Sequence, residues 1–231
     1  MNLFVEYFKN TNDERQREIE NSLATNLSFD FIKDVYIFTS REDASHLNEF
    51  LRKFFTATTV HVIEKDIRTT YQDVFNYANE VNQIQERINI LLNNDISLTN
   101  SFRNLKPLSG DFIALTRWDK FDAKGHAKLL QGTGLDSQDT WAWYGISKIK
   151  EADFYMGIPG CDNKITYIAN QCGYKLKNPS IDVVTIHNHA SDHRTYTLKQ
   201  RLDRPYLLIR PHKLNENDKE NDNGYIHILH S

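Results

Sequence analysis

Residues 87–98 read RINILLNNDISL. After Arg87 the run Ile88, Asn89, Ile90, Leu91, Leu92 favours β structure, and it stops at Asn93, Asn94 and Asp95, residue types of turns and helix caps. An apolar run this short, bounded by turn formers, predicts a strand buried on both faces. In open α/β sheets ligands sit in the crevice beyond the carboxyl ends of such strands, which puts Asp95 at its mouth beside two amides. A carboxylate there can hold a hard divalent cation, and the cation can hold a diphosphate. The same residues have a structural use: Asn94 or Asp95 capping a helix that starts near Ser97.

Upstream of this strand the pattern alternates. Residues 3–8 are apolar and aromatic and predict a first strand. Asn12, Asp13 and Glu14 form a helix start, followed by the stripe Ile19, Leu23, Leu27. VYIFT at 35–39 predicts a second strand. A short helix is expected over 46–55, with Leu47, Phe50, Leu51, Phe54 and Phe55 on one face, and TTVHVI at 58–63 predicts a third strand. Thr70 with Asp73 is a capping-box-like start for a helix carrying Tyr71, Val74, Phe75, Ala78 and Val81. Strand, helix, strand, helix, strand, helix, strand implies an α/β fold with a mostly parallel central sheet flanked by helices.

Downstream the character changes. DFIALT at 111–116 predicts a strand leading into Arg117, Trp118 and Asp119, and 120–140 reads as a long loop closed by DSQDTW. A short strand is expected over 153–156, then the turn GIPG, then a helix with Ile165, Ile168, Ala169 and Cys172 on one face and Gly173 at its end. A strand over 181–186 runs into His187, Asn188, His189 and His193. NENDKENDNG at 215–224 reads as a polar linker, and 225–229 as a lone edge strand. The expected organisation is one domain over 1–212, a nucleotide-binding half at 1–100 and an acceptor half at 101–212, with 213–231 as linker or tail.

With 231 residues and 39% hydrophobic content the chain can bury a sizeable core. A net charge of −3 argues against a broad nucleic-acid surface. No apolar stretch nears the ~20 residues of a membrane span, and the start MNLFVEYFKN has no signal-peptide pattern. Cys161 and Cys172, eleven residues apart, would lie about 16 Å apart on one helix, too far for a disulfide. A reducing, cytoplasmic setting is expected.

Asp95, Asp162 and the pair His187/His189 all follow predicted strands. Their order and surroundings over roughly residues 1–196 resemble the nucleotide-sugar glycosyltransferases of the GT-A fold, with a Rossmann-like first half. Asn93-Asn94-Asp95 stands where that family has a D-x-D motif whose last Asp binds the metal holding the donor diphosphate. Cys161-Asp162-Asn163-Lys164-Ile165, running on to Gly173-Tyr174, stands where it has an x-E-D helix start. A histidine often completes the metal site there, and His187 or His189 is available. DSQDTW, GIPGCDNKI and HNHASDHRTY also resemble stretches of small bacterial and viral glycosyltransferase domains. Two departures stand out: Asn93 replaces the first Asp, which removes a charge, and Cys161 replaces Glu.

The resemblance implies Mn²⁺ or Mg²⁺, a UDP- or GDP-type sugar donor, and a glycan or glycoconjugate acceptor. It implies metal at Asp95 with His187 or His189, and Asp162 as the base that takes the acceptor's proton in an inverting transfer. Asp162 could equally be a helix N-cap, with Asp136 or Asp139 then left as base. Tyr7 could stack on the base, with Phe8 an ordinary core aromatic. Asp66 and Arg68 could contact base and ribose, and Arg117 and Asp139 could hold sugar hydroxyls or phosphate. Trp118, Trp141 and Trp143 could form a platform under a sugar ring or simply be core.

Three other functions compete. A sugar-nucleotide pyrophosphorylase would want a glycine-rich loop after the first strand, where YFKNTNDERQ has no glycine. A nuclease, prompted by the letters HNH, would want a basic stripe. A non-catalytic nucleotide-sugar or carbohydrate-binding domain of a larger protein is kept open by Asn93.

Overall fold

The computed structural model describes residues 1–54, 57–120, 126–130, 137–188, 200–215 and 226–229, the last segment chiefly by its backbone. The first half runs β1 (Asn2–Tyr7), α1 (Asp13–Leu27), β2 (Asp34–Ser40), α2 (Arg41–Leu51), β3 (Thr59–Lys65), α3 (Tyr71–Ile84) and β4 (Ile88–Leu92). Then come β5 (Ile96–Ser97), a 3-10 turn (Asn100–Asn104), β6 (Asp111–Thr116), β7 (Trp118–Lys120), β8 (Ala127–Leu129) and β9 (Gln138–Tyr144). The chain continues through α4 (Cys161–Gln171), β10 (Lys175–Lys177), β11 (Ile186–His187), β12 (Tyr206–Ile209) and β13 (Ile226–Leu229).

Local chemistry sets the helix starts. Asn12 accepts from the Arg15 N–H, and Ser40 accepts from the Asp43 N–H, which starts α2 five residues before the expected His46. Thr70 and Asp73 form the reciprocal capping box.

The central sheet has seven strands in the order β10-β6-β9-β4-β1-β2-β3. All neighbours are parallel except β9, which lies antiparallel between β4 and β6. β2 and β3 lie outward on one side of β1, and β4 returns to its other side. The strand order therefore reverses between β1 and β4, which is where an open sheet leaves a crevice.

Period-two alternation divides the core. Leu3, Val5 and Tyr7 of β1 pack with Ile19 and Leu23 of α1 and Leu47 of α2, while Phe4 packs on the other face with Tyr71 and Phe75 of α3 and Trp143 of β9. Truncating a buried residue such as Leu91 to Ala would cost about 2–5 kcal/mol. A second sheet, β5-β11-β7-β8, lies beyond the carboxyl end of β4, and β12 pairs with β13.

Several expectations need correction. QDTWAWY is not the end of a loop but β9, a central strand. Trp141 and Trp143 are fully buried in it, so neither forms a sugar platform. Its buried face on each side leaves no clean alternation to read. No helix starts at Ser97: the chain enters β5, and Thr99 caps the 3-10 turn, so Asp95 is not a cap. The strand expected over 153–156 is a single bridge between Thr70 and Tyr155, and the one expected over 181–186 shrinks to Ile186–His187. Both cysteines are free thiols. Among the described residues no helix is long and apolar enough to cross a membrane.

Candidate active site

A cleft of about 280 Å³ opens at the β1/β4 reversal, and Arg68, Asn93, Asn94, Asp95, Arg117, Asp139, Asp162 and His187 all line it. The turn after β4 fixes Asp95: the Ile96 N–H donates to the Asn93 carbonyl at 3.1 Å, and the Asn188 N–H donates to the Asp95 carbonyl at 2.8 Å. Asn188 also donates its side-chain amide to Ser22 of α1 and Ser97 of β5. That ties the residue after His187 to α1 and β5.

The side chains form a chain of alternating charge. Glu18 accepts from Arg15 at 2.9 Å, and Arg15 donates to Asp95 Oδ2 at 2.5 Å. His187 sits between two carboxylates, with Nε2 3.2 Å from Asp95 Oδ2 and Nδ1 2.9 Å from Asp119 Oδ1. Arg117 bridges Asp119 at 3.0 Å and Asp139 at 3.1 Å, and Asn93 donates to the other oxygen of Asp139 at 2.7 Å. Burial alone would raise the Asp95 carboxyl, but His187 and Arg15 hold it well below the usual carboxylate range. Burial would lower the His187 imidazole, but Asp119 and Asp95 outweigh it and raise it to about 9.

The opposite wall is the turn 156–160 and the start of α4. Arg68 donates to the Met156 carbonyl and lies over the Tyr155 ring. Gly160 is the N-cap of α4, with φ +86° and no side-chain capping bond. A Cβ there would stand 2.6 Å from the Tyr206 hydroxyl oxygen, so the position needs glycine for its backbone and for space. Asp162 is thus not the cap. It is the second helical residue, and its Oδ1 accepts from the Cys161 thiol at 3.1 Å.

Some expected residues lie elsewhere. Tyr7 is buried on the α1/α2 face, where its hydroxyl bonds His46 at 2.7 Å and accepts from Gln16 at 2.8 Å, so its ring is not open to a base. The parity of β1 turns Glu6 to the cleft instead. Asp66 is exposed and paired with Arg41 outside the cleft. Phe8 is half-buried, packed against the core as expected, and also lines the cleft. Trp118 is half-buried and donates its indole N–H to the Ser180 carbonyl. His189, His193 and Asp136 lie outside the described residues. Glu6, Arg15 and Asp119 were missed. Each carried a signal: a Glu in an apolar strand, an Arg four residues before Ile19 on the apolar stripe, and an Asp two residues after Arg117 on one strand face.

No family model and no curated protein matches the sequence. Among solved structures the chain is similar to the mannosyltransferase PcManGT from Pyrobaculum calidifontis, determined in complex with GDP-Man and Mn²⁺. The identity is 13%, over 81% of this chain and 56% of that one, with a TM-score of 0.51. The fold is GT-A-like. The chain spans just over half the length of that mannosyltransferase. Also similar are 4-diphosphocytidyl-2C-methyl-D-erythritol synthase from Anaerococcus prevotii (11% identity, 86% of this chain and 93% of that one, TM-score 0.48) and S. aureus TarS (11%, 80% and 36%, 0.46).

Within this GT-A-like fold Asp95 and His187 are an oxygen and a nitrogen donor that would hold a divalent cation only with the His187 ring deprotonated at Nε2. An oxygen and an imidazole nitrogen 3.2 Å apart have the spacing of adjacent ligands about a cation held at ~2.1–2.2 Å. Asp119 on Nδ1 fixes the orientation of the His187 ring. Arg15 shares the same Asp95 oxygen and would compete for it. Among the described residues no group of three His, Cys, Asp or Glu side chains forms a complete metal cage.

Proposed function

We propose that the chain is an inverting, metal-assisted glycosyltransferase that moves a sugar from a nucleotide-diphosphate donor to an acceptor hydroxyl. The single observation that carries this reading is that Asp95 with His187 and, on the facing wall, Asp162 line one cleft at the sheet's strand-order reversal. Asp95 and His187 would hold Mn²⁺ or Mg²⁺, which supplies Lewis-acid neutralisation of the leaving diphosphate. Arg15, Arg68 and Arg117 line the same cleft and add fixed cations for the phosphates. Asp139, oriented by Arg117 and Asn93, suits a sugar hydroxyl.

In the transfer the acceptor oxygen bonds to the anomeric carbon while the bond to the diphosphate oxygen breaks, and that electron pair leaves with the nucleoside diphosphate. The acceptor's proton goes to the Asp162 carboxylate. Asp162 suits the task because it lines the cleft from the second position of α4. The Arg15–Asp95 pair favours a second reading, a non-catalytic nucleotide-sugar binder.

Titration calorimetry of UDP and GDP, in Mn²⁺ and in chelator, tests the donor site. Metal should tighten binding in the parent and not in Asp95→Ala. Equal affinity with and without metal in the parent would overturn the metal role.

A further inference from the structure

Cys161 stands where the resemblance places a glutamate, and its thiol is buried at the first position of α4. Two hydrogen bonds run through it. The Tyr71 hydroxyl, fully buried at the start of α3, donates to Sγ at 3.6 Å, and Sγ donates to Asp162 Oδ1 at 3.1 Å. Gly160, not Asp162, is the N-cap of α4, and the thiol's bond to Oδ1 is one contact that holds the carboxylate's direction on the cleft wall.

We propose that Cys161 and Tyr71 are positioning residues that aim the Asp162 carboxylate at the acceptor, an inference that rests on the glycosyl-transfer reading. The thiol takes no part as a nucleophile. Burial, and next the Asp162 charge, push it well above an ordinary cysteine, so it stays an S–H donor. A donated hydrogen bond favours the charged carboxylate over the neutral acid. Glutamate at this position would add a second negative charge beside the base. A thiol adds a donor instead.

The test has a spectroscopic and a kinetic arm. The chain has two cysteines, so Cys172→Ser leaves Cys161 as the sole thiol. Its infrared S–H stretch should lie at the low frequency of a donating thiol and move upward in Cys172→Ser/Asp162→Ala. An unmoved band overturns the hydrogen bond. In donor turnover, Cys161→Ala should lower kcat about tenfold, the equivalent of one hydrogen bond to a charged group. It should leave KM within about twofold and move the acid limb of the pH profile up by about one unit. Cys161→Ser, which keeps a donor, should restore most of the rate. Tyr71→Phe should shift the limb the same way, and non-additively with Cys161→Ala. A Cys161→Ala enzyme that loses thermal stability with an unchanged pH profile makes the cysteine merely structural and overturns the proposal. A parent that releases no nucleoside diphosphate from any donor overturns the transfer reading and the positioning role with it, and the infrared shift distinguishes that failure from a missing bond.

Discussion

Glu6→Gln is expected to stabilise the protein above neutral pH and to leave it nearly unchanged below pH 4.5. Glu6 is the penultimate residue of β1, lines the cleft and is 9% exposed. Its carboxylate lies 3.9 Å from the Arg68 guanidinium and accepts from the Thr69 N–H at 3.3 Å. Burial outweighs both and raises the group from 4.5 to about 7. The folded pKa lies above the unfolded one, so the native state binds more protons between the two values. Stability is therefore highest below pH 4.5, falls as pH rises toward 7, and levels off above it. At ~1.4 kcal/mol per pKa unit the loss is roughly 3 kcal/mol. Glutamine keeps an acceptor for Thr69 and has no charge to desolvate, so it should recover up to that amount at pH 8.5. Arg68 is 42% exposed on its side chain, and leaving it without the carboxylate should cost little. Urea unfolding of parent and variant from pH 4.5 to 8.5 measures the difference. A gap that does not change with pH, or a variant weaker than the parent at pH 8.5, would mean that the Arg68 attraction outweighs the burial of Glu6.

Gly160→Ala should lose about 1–3 kcal/mol from the left-handed backbone alone, and thermal unfolding should find only partial recovery in Gly160→Ala/Tyr206→Phe, since the ring carbon at 2.9 Å remains. Arg15→Met should destabilise by less than the ~3–5 kcal/mol of a buried charge stripped of its partner, because Asp95 keeps His187, and denaturant midpoints check this. Asp119→Asn should weaken Mn²⁺ binding about 10–100-fold by releasing the His187 ring, as read by calorimetry.

The first half of the fold was legible because its signals are local. The turn formers after Leu92, the Thr70/Asp73 box and the Asn12 cap each act within a few residues. The second half was not. β9 is buried on both faces, and its place between β4 and β6 depends on long-range antiparallel pairing that no nearby turn specifies. In the candidate site, Asp95 could be named from the strand end after Leu92, while Asp162 and His187 rested on the resemblance, since the strands expected before them are a single bridge and a two-residue strand. Tyr7 was placed on the wrong face because the parity of β1 is fixed by what packs against it. Arg15 escaped notice because its partner lies eighty residues away.

On the proposed reading one cleft holds a metal-assisted donor site and an Asp162 base. Incubating parent and Asp162→Asn with a panel of UDP- and GDP-sugars, acceptor glycans and Mn²⁺, and measuring free nucleoside diphosphate, tests it directly. The parent should release it, and the variant should show a kcat about 10²–10⁴-fold lower with folding and donor binding retained. Equal rates in the two proteins, or no release from any donor by a parent that binds it, would contradict it.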